Sequence, residues 1–395
     1  MKIAQVYEFV NEATKEALGE TVVLNEDLSN IVTVGEAVFN ANAMDKYVKA
    51  LVNRIGKTIF VNRVYQGSAP SVMMDGWEYG SVLQKVSTGL PEAKENETWE
   101  LEDGRSYDPH VFHKPKGVIA KFYNEYVTFE VDMSFTEEQL KCSFSSAEQL
   151  NGFVSMLYTS VDNTMTVKID ELIRRTINNL IAETIYDDYQ GANLNTKSGV
   201  KAINLLYLYN NTVNAGNTAL TADKAMSSPD FIRYASYIIK LTHDRMKTMS
   251  KLFNIGKQPR FTPKDLCHIV LLSDFSNSAD IYLQSNTFHK ELVQLPTAET
   301  VTYWQGSGTN FDFDSVSKID VKSSQNHTVT TTGILGVMFD RWALGVSNVN
   351  RKVTSQYTPN AEFFTNFYKY KAGFFNDLNE NFVVFFIAQL SYMEV

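Results

Sequence analysis

Two side chains of opposite charge, Asp340 and Arg341, stand side by side in FDRWALGV (339–346), directly after the apolar run GILGVM. An acid next to a guanidinium can hold a proton and stabilise developing negative charge. The same pair also suits a turn or an edge ion pair where a strand leaves a core. That second reading is favoured, because nothing else in the chain completes a catalytic set. His110 and His113 are spaced i, i+3, but Pro109 and Pro115 flank them in a loop, and two ligands do not make a zinc site. Gly306-Ser307-Gly308 lacks the strand-turn-helix context of a nucleophile elbow. No phosphate loop or dinucleotide fingerprint occurs. Glu137 with Glu138, and Asp187 with Asp188, are sequence neighbours, which do not face each other on a helix. His268 opens an apolar run and reads as a core histidine with its bonds satisfied, and His243 beside Asp244 reads as solvated. The expectation is no catalytic residue, no metal and no cofactor. A hydrolase using Asp340 with a distant histidine is the alternative from a different class.

The elements around these residues must therefore explain them. The chain has 395 residues, enough for two domains of ordinary size. Its aromatic load of 12% favours extensive cores or extensive subunit contacts. The net charge of −9, with dispersed bases, disfavours a protein that grips phosphates through clustered Lys and Arg. Holding nucleic acid without adhering to it is compatible with that balance. The two cysteines, Cys142 and Cys267, read as reduced thiols. Nothing resembles a membrane span or an apolar leader segment.

Along the chain, residues 1–20 read as an amphipathic helix, 20–42 as an arm or linker, and 43–55 as a helix ending at Gly56. Thr58–Val64 reads as a strand. The stretch 65–117 is rich in Gly, Pro, Ser and charge but holds strand-like pieces at Gly80–Val86 and Thr98–Leu101. A long β-hairpin that leaves the body suits it better than a structureless loop. Strand alternation continues over 118–133, where Val127, Phe129, Val131 and Met133 share one face. Ser134 with Glu137, and Ser145 with Glu148, stand at capping-box spacing. The second pair opens a stripe from Leu150 to Ile181 in steps of three and four. About forty helical residues make a rod of roughly 60 Å, with a kink expected near Thr164–Thr166. Fraying is expected at the acidic end, Glu183–Asp188, where the macrodipole disfavours negative charge.

From about 196 the composition shifts to strand and turn. Ser228 and Pro229 start another helix, whose face runs through Phe231 and Ile238 to Leu252. His268–Leu272 reads as a buried strand, with further strands near Phe311–Phe313 and Thr328–Thr332. The block 196–335 looks like an α+β domain inserted between two parts of the first. The final run, Phe382–Ala388, reads as a buried strand pairing back into the first domain.

Part order and wording together resemble the major capsid protein of tailed bacteriophages, the Hong Kong 97-type shell fold. The wording lies in SFTEEQLKCSFSSAEQLNGFVSMLYTSVDNT (134–164), GILGVMFDRWALGV (333–346) and YKAGFFNDLNENFVVFF (370–386). The resemblance implies an α+β fold with an N-terminal arm (1–41) and an extended β-hairpin loop (65–117). It implies a peripheral domain with a long spine helix (42–64, 118–195 and 336–395) and an inserted axial domain (196–335). It implies a structural protein that self-assembles into pentamers and hexamers, forming an icosahedral shell around packaged double-stranded DNA. Its partners would be copies of itself, a portal and a separate scaffolding protein, without sequence-specific DNA binding and without a membrane. Its place would be the virion capsid, assembled in the host cytoplasm. On this reading Trp77, Tyr79, Lys85, Lys94, Trp99, Asp340 and Arg341 are candidates for contact between subunits, not for catalysis. An encapsulin-like compartment is the alternative of the same class. Some shells of this type cross-link a loop lysine to an asparagine. Lys85 and Lys94 lie in the loop, but no pattern identifies a partner.

Overall fold

A computed structural model describes residues 3–18, 68–74, 83–88, 118–136, 147–190, 196–284, 298–305, 312–324 and 326–387, with isolated positions between them. In chain order the elements begin with α1 (Ile3–Leu18), β1 (Leu83–Thr88), β2 (Val118–Tyr123), β3 (Tyr126–Thr136) and α2 (Ala147–Tyr189). Next come β4 (Ala202–Asn204), α3 (Leu205–Asn211), α4 (Ala222–Ala225), α5 (Pro229–Met246), β5 (Cys267–Leu272), α6 (Ser273–Gln284) and β6 (Glu299–Val301). The chain continues through α7 (Phe313–Val316), β7 (Ile319–Lys322), β8 (Thr328–Thr331), β9 (Ile334–Asp340), β10 (Leu344–Thr358), β11 (Phe363–Asn376) and β12 (Phe382–Phe386). The strand expected at Thr58–Val64, all but Lys46 and Tyr47 of the helix expected at 43–55, the piece at Thr98–Leu101, and His110 and His113 lie outside the described residues.

The chain divides into two compact units. The first takes Met1–Tyr79, Glu125–Arg175 and Val346–Phe374; the second takes Gly80–Asn124, Thr176–Gly345 and Phe375–Val395. In the first unit β3 pairs antiparallel with β11 in a sheet of order β10-β11-β3. Period-two alternation extends through Phe135, which is buried and stacks on Phe364 at 5.7 Å. The capping box expected at Ser134 does not form there. Ser134 and Thr136 are strand residues, and the Ser134 hydroxyl shares a hydrogen bond with Thr365 across the sheet. A continuing apolar alternation outweighed a local capping signal. Also in this unit, Asp170 accepts hydrogen bonds from the Ser68 amide and hydroxyl, at 2.9 and 2.7 Å.

The long helix forms as the spacing predicts, 43 residues without a break. Val161, Met165, Ile169, Leu172, Ile173, Ile177, Leu180 and Ile181 are buried along its stripe. Thr164 and Thr166 do not break it. Each hydroxyl donates back to the carbonyl four residues earlier, Ser160 and Asp162, and so keeps its polar atom inside the helix. The acidic end is held rather than frayed. Lys201 Nζ bridges Asp187 at 2.8 Å and Asp188 at 2.6 Å, and Asp188 Oδ2 also accepts the Lys201 and Ala202 amides. A tertiary lysine neutralises charge that the helix end alone would disfavour.

The second unit is built on a mixed sheet of order β4-β12-β9-β5-β6. β9 is buried at every residue and pairs antiparallel with β12 and β5. β12 therefore lies between β9 and β4, a strand from the start of the 196–335 block, rather than returning into the first domain alone. Strands buried on both faces read as unbroken apolar runs, which is why CHIVLL and FVVFF carry no alternation. Phe231, Ile239, Met246, Phe275, Leu271, Met338, Val383 and Phe385 form part of its core. Ser228 caps α5 as predicted, but that helix stops at Met246, and Met249 and Leu252 are exposed beyond it. Of the strand expected near Phe311–Phe313, the described residues begin a helix: Asp312 accepts the Ser315 amide at 3.0 Å and starts α7 at Phe313. Gly333, at φ +81°, joins β8 to β9, and a Cβ there would run into the Ile387 carbonyl.

Candidate functional site

The turn 377–381, between β11 and β12, gathers a cluster of charges in the second unit. Its sequence, DLNEN, is dense in side chains that bond their own backbone. Asp377 Oδ1 accepts the Asn379 amide at 3.0 Å, and the Glu380 amide donates to the Asp377 carbonyl at 3.3 Å. The turn is tied to the segment after α5. Gly256 N donates to Leu378 O at 2.8 Å, Phe382 N to Phe253 O at 2.8 Å, and Asn381 Nδ2 to the Thr262 hydroxyl at 3.1 Å. A Cβ at Gly256 would meet the Asn379 side-chain amide, which would have to give way.

The second half of the site is the two-stranded ribbon β1–β2. Its antiparallel register sets Leu83 opposite Tyr123, Lys85 opposite Lys121 and Ser87 opposite Ile119 on one face. Gln84 opposite Phe122 and Val86 opposite Ala120 form the other. The first face turns to the 377–381 turn. Lys85 Nζ lies 2.7 Å from Asp377 Oδ2 and 2.8 Å from Glu380 Oε1, and donates to the Trp342 carbonyl at 3.1 Å. Lys121 Nζ lies 2.7 Å from Asp377 Oδ1. Arg260 Nε reaches Glu380 Oε1 at 3.3 Å. The Tyr123 ring lies 5.0 Å from Phe375. The opposite face is open: Phe122 is 64% exposed and Val86 57%.

The electrostatics follow from burial. The Asp377 side chain is 2% exposed. Burial by itself would raise its pKa, but hydrogen bonds from Lys121 and Lys85 outweigh that and hold the carboxyl below its ordinary range. Tyr123 is pushed up, first by burial and then by the Asp377 charge.

Asp340 and Arg341 form a turn beside this anchor. The Asp340 amide donates to the Asn381 carbonyl at 3.0 Å. Its buried carboxylate accepts the Trp342 amide at 2.9 Å, and its carbonyl accepts the Ala343 amide at 2.8 Å. The Arg341 amide donates to Leu266 O at 2.9 Å. The β5–β9 register also sets Cys267 opposite Asp340, with His268 next in line. This trio does not make a nucleophile. Burial, then the Asp340 charge, pushes the Cys267 thiol up to about 12, the opposite of a reactive thiolate. Burial and then Arg341 hold His268 below the ordinary histidine value. Two histidine expectations change here. His268 Nε2 is buried without a hydrogen-bond partner, and His243 is buried rather than solvated. Burial, then Lys247, holds His243 below the ordinary value too, and the His268 ring lies 5.9 Å from Phe339.

Of the predicted contact residues, the structure brings Lys85 to the same anchor that the Asp340–Arg341 turn adjoins. Trp77, Tyr79, Lys94 and Trp99 lie outside the described residues. Sequence reading missed Asp377, Lys121 and Glu380. The Asn- and Asp-rich turn between two apolar strands was the available signal. Among the described residues, no group of three His, Cys, Asp or Glu is placed to hold a metal ion. No helix among them is long and apolar enough to cross a membrane.

A family model described as Phi29-like phage major capsid protein matches residues 10–386. Among solved structures, the capsid structure of Staphylococcus phage Andhra is similar at TM-score 0.51 and 8% identity, over 83% of this chain and 86% of the other. That likeness establishes a shared Hong Kong 97-type fold. The capsid structure of the cyanophage P-SCSP1u aligns at TM-score 0.45 and 11% identity, over 79% and 85% of the two chains. No curated protein matches the sequence.

Proposed function

Because this chain belongs to the Phi29-like phage major capsid protein family, and so is a structural protein of a phage shell, we propose that it closes that shell by passing its β1–β2 ribbon onto a neighbouring copy. The observation that carries this reading is the ribbon's two-sidedness. One face is fastened by Lys85 and Lys121, and the other presents Phe122 and Val86 to water. An apolar strand face left exposed on a subunit calls for a second surface. In a shell the same overlap repeats around each ring, a heterologous contact that closes on itself. Pentamers and hexamers are the rings such contacts make in an icosahedral shell. Residues 65–117 then act as the extended loop and 1–41 as the arm. Residues 42–64, 118–195 and 336–395 act as the peripheral domain, and 196–335 as the axial domain. Asp340 and Arg341 serve the fold as a corner beside the ribbon's anchor, and no enzymatic role is assigned.

Packaged double-stranded DNA, a portal and a separate scaffolding protein are the further partners of this reading, with assembly in the host cytoplasm. The net charge of −9 supports a lining that repels nucleic acid instead of trapping it. The test is sedimentation of the purified protein followed by negative-stain microscopy. Closed shells that pellet through a sucrose cushion support the reading. A protein that stays a monomer at every concentration and with scaffolding protein added overturns it. A shell that encloses a specific enzyme instead of DNA would favour a compartment.

A further inference from the structure

Lys85 and Lys121 are direct cross-strand partners. Like charges directly opposite in an antiparallel pair repel and weaken the pairing. Here a single carboxylate stands between them, one oxygen to each ammonium at 2.7 Å. That carboxylate belongs to a part of the chain more than 250 residues away in sequence from both lysines. The groups that face it are Lys85, Lys121 and Tyr123 from the ribbon, Glu380 from its own turn, and Arg260 from the segment after α5. Three cations therefore meet two carboxylates. Glu380 is shared between Lys85 and Arg260, so Asp377 is the only one of the two that reaches Lys121.

The acceptor side is stiff. The Leu378 carbonyl accepts the Gly256 amide, the Asn381 side-chain amide donates to the Thr262 hydroxyl, and the next residue, Phe382, donates its amide to Phe253 O. Asp377 N itself donates to Ala343 O at 2.7 Å. The ribbon is thus fastened to the turn at two successive rungs of one face, one ionic (Lys85–Lys121) and one through a ring contact (Leu83–Tyr123, with Tyr123 against Phe375). Two-stranded ribbons are only marginally stable by themselves, so their course is set by whatever holds their root.

We propose that Asp377 is a latch: by clamping Lys85 and Lys121 together it holds the β1–β2 ribbon paired and sets its direction before a neighbouring subunit is met. The link to assembly rests on the reading of the ribbon as a subunit bridge; the latch does not. The variants are Asp377→Asn, which removes the charge at equal size, and Lys121→Met, which removes one cation at a partly exposed position. Hydrogen exchange of the purified full-length protein is followed in β1, β2 and β12. The latch requires exchange in β1 and β2 to rise at least tenfold in Asp377→Asn, with β12 unchanged, and severalfold in Lys121→Met. Unchanged protection of β1 and β2 in Asp377→Asn overturns it. If β12 also loses protection in that variant, the whole unit has loosened and Lys121→Met decides, with a selective rise supporting the latch and no rise overturning it. Shells are counted by microscopy in the same preparations. Failure of the wild type to form shells sinks the bridging role, and the exchange comparison still decides the latch.

Discussion

Lys85 and Lys121 face each other across one rung of the β1–β2 ribbon, and the carboxylate of Asp377 lies between them. Removing that carboxylate leaves two ammonium groups opposed beside a buried turn. Breaking a buried pair by deleting one partner costs on the order of 3 kcal/mol, so Asp377→Ala should lower the urea midpoint of the protein. Asp377→Glu, which keeps the charge, should recover part of it. Equal midpoints for Asp377→Ala and wild type would show that the ion pairs contribute nothing net.

Acid should weaken the fold in two separate windows. His243 and His268 sit below the ordinary histidine value, chiefly through burial. The unfolded chain therefore takes up protons first as pH falls through about 6.5, and stability declines from there down to the folded values, by at most about 1.4 kcal/mol per pH unit for each ring. Asp377 is also depressed. Its contribution is complete above the unfolded carboxyl value, about 3.9, and is lost as pH falls from there through the lower folded value. Urea midpoints between pH 7.5 and 5.5 should fall in wild type and stay flatter in a His243→Gln, His268→Gln double variant.

Cys267 should resist labelling. With its thiol pushed up to about 12, almost no thiolate exists at pH 8. Mass spectrometry of the Cys267 peptide should show no modification by an aromatic disulfide reagent in the native protein and full modification in urea. Rapid native labelling would mean the β5 strand is open.

Gly333→Ala should be among the most damaging single-methyl changes. The position is left-handed, at φ +81°, which costs a side chain about 1–2 kcal/mol. The added Cβ would also meet the Ile387 carbonyl, and overpacking adds about 1–3 kcal/mol more. The junction's two hydrogen bonds, Gly333 N to the Ser317 hydroxyl and Ile387 N to Gly333 O, would be disturbed together by such a shift. A melting temperature within a degree of wild type would refute this.

Phe122→Asp should leave the subunit folded, because the ring faces water. It should reduce the yield of closed shells at least tenfold, since the charge would have to be desolvated at the proposed contact. Circular dichroism verifies the fold and sucrose sedimentation the yield. Normal shells from this variant would place the contact elsewhere.

Local sequence was a good guide wherever neighbours in the chain are also neighbours in space. Ser228 before Pro229 caps α5, and the stripe through Ile169 and Ile177 forms one face of α2. It misled where two local signals competed. Ser134 at capping-box spacing belongs to a strand, because Phe135 extends the alternation begun at Val127. Asp312 between two phenylalanines starts a helix, because its carboxylate caps Ser315. The acidic end of α2 looked unstable because Lys201, which neutralises it, follows only after a turn.

Residue type and spacing alone determined the long helix, the apolar central strands, the absence of any motif for catalysis and the likeness to phage shell proteins. Those features depend on periods of two and 3.6 residues and on runs of wording, all contained within a few tens of positions. Only the tertiary structure decided that Asp340 closes a turn on its own backbone and that Asp377 holds the ribbon. Charge pairing acts over a few ångströms in space. Nothing in a linear chain records that positions 85, 121 and 377 fold to within that distance.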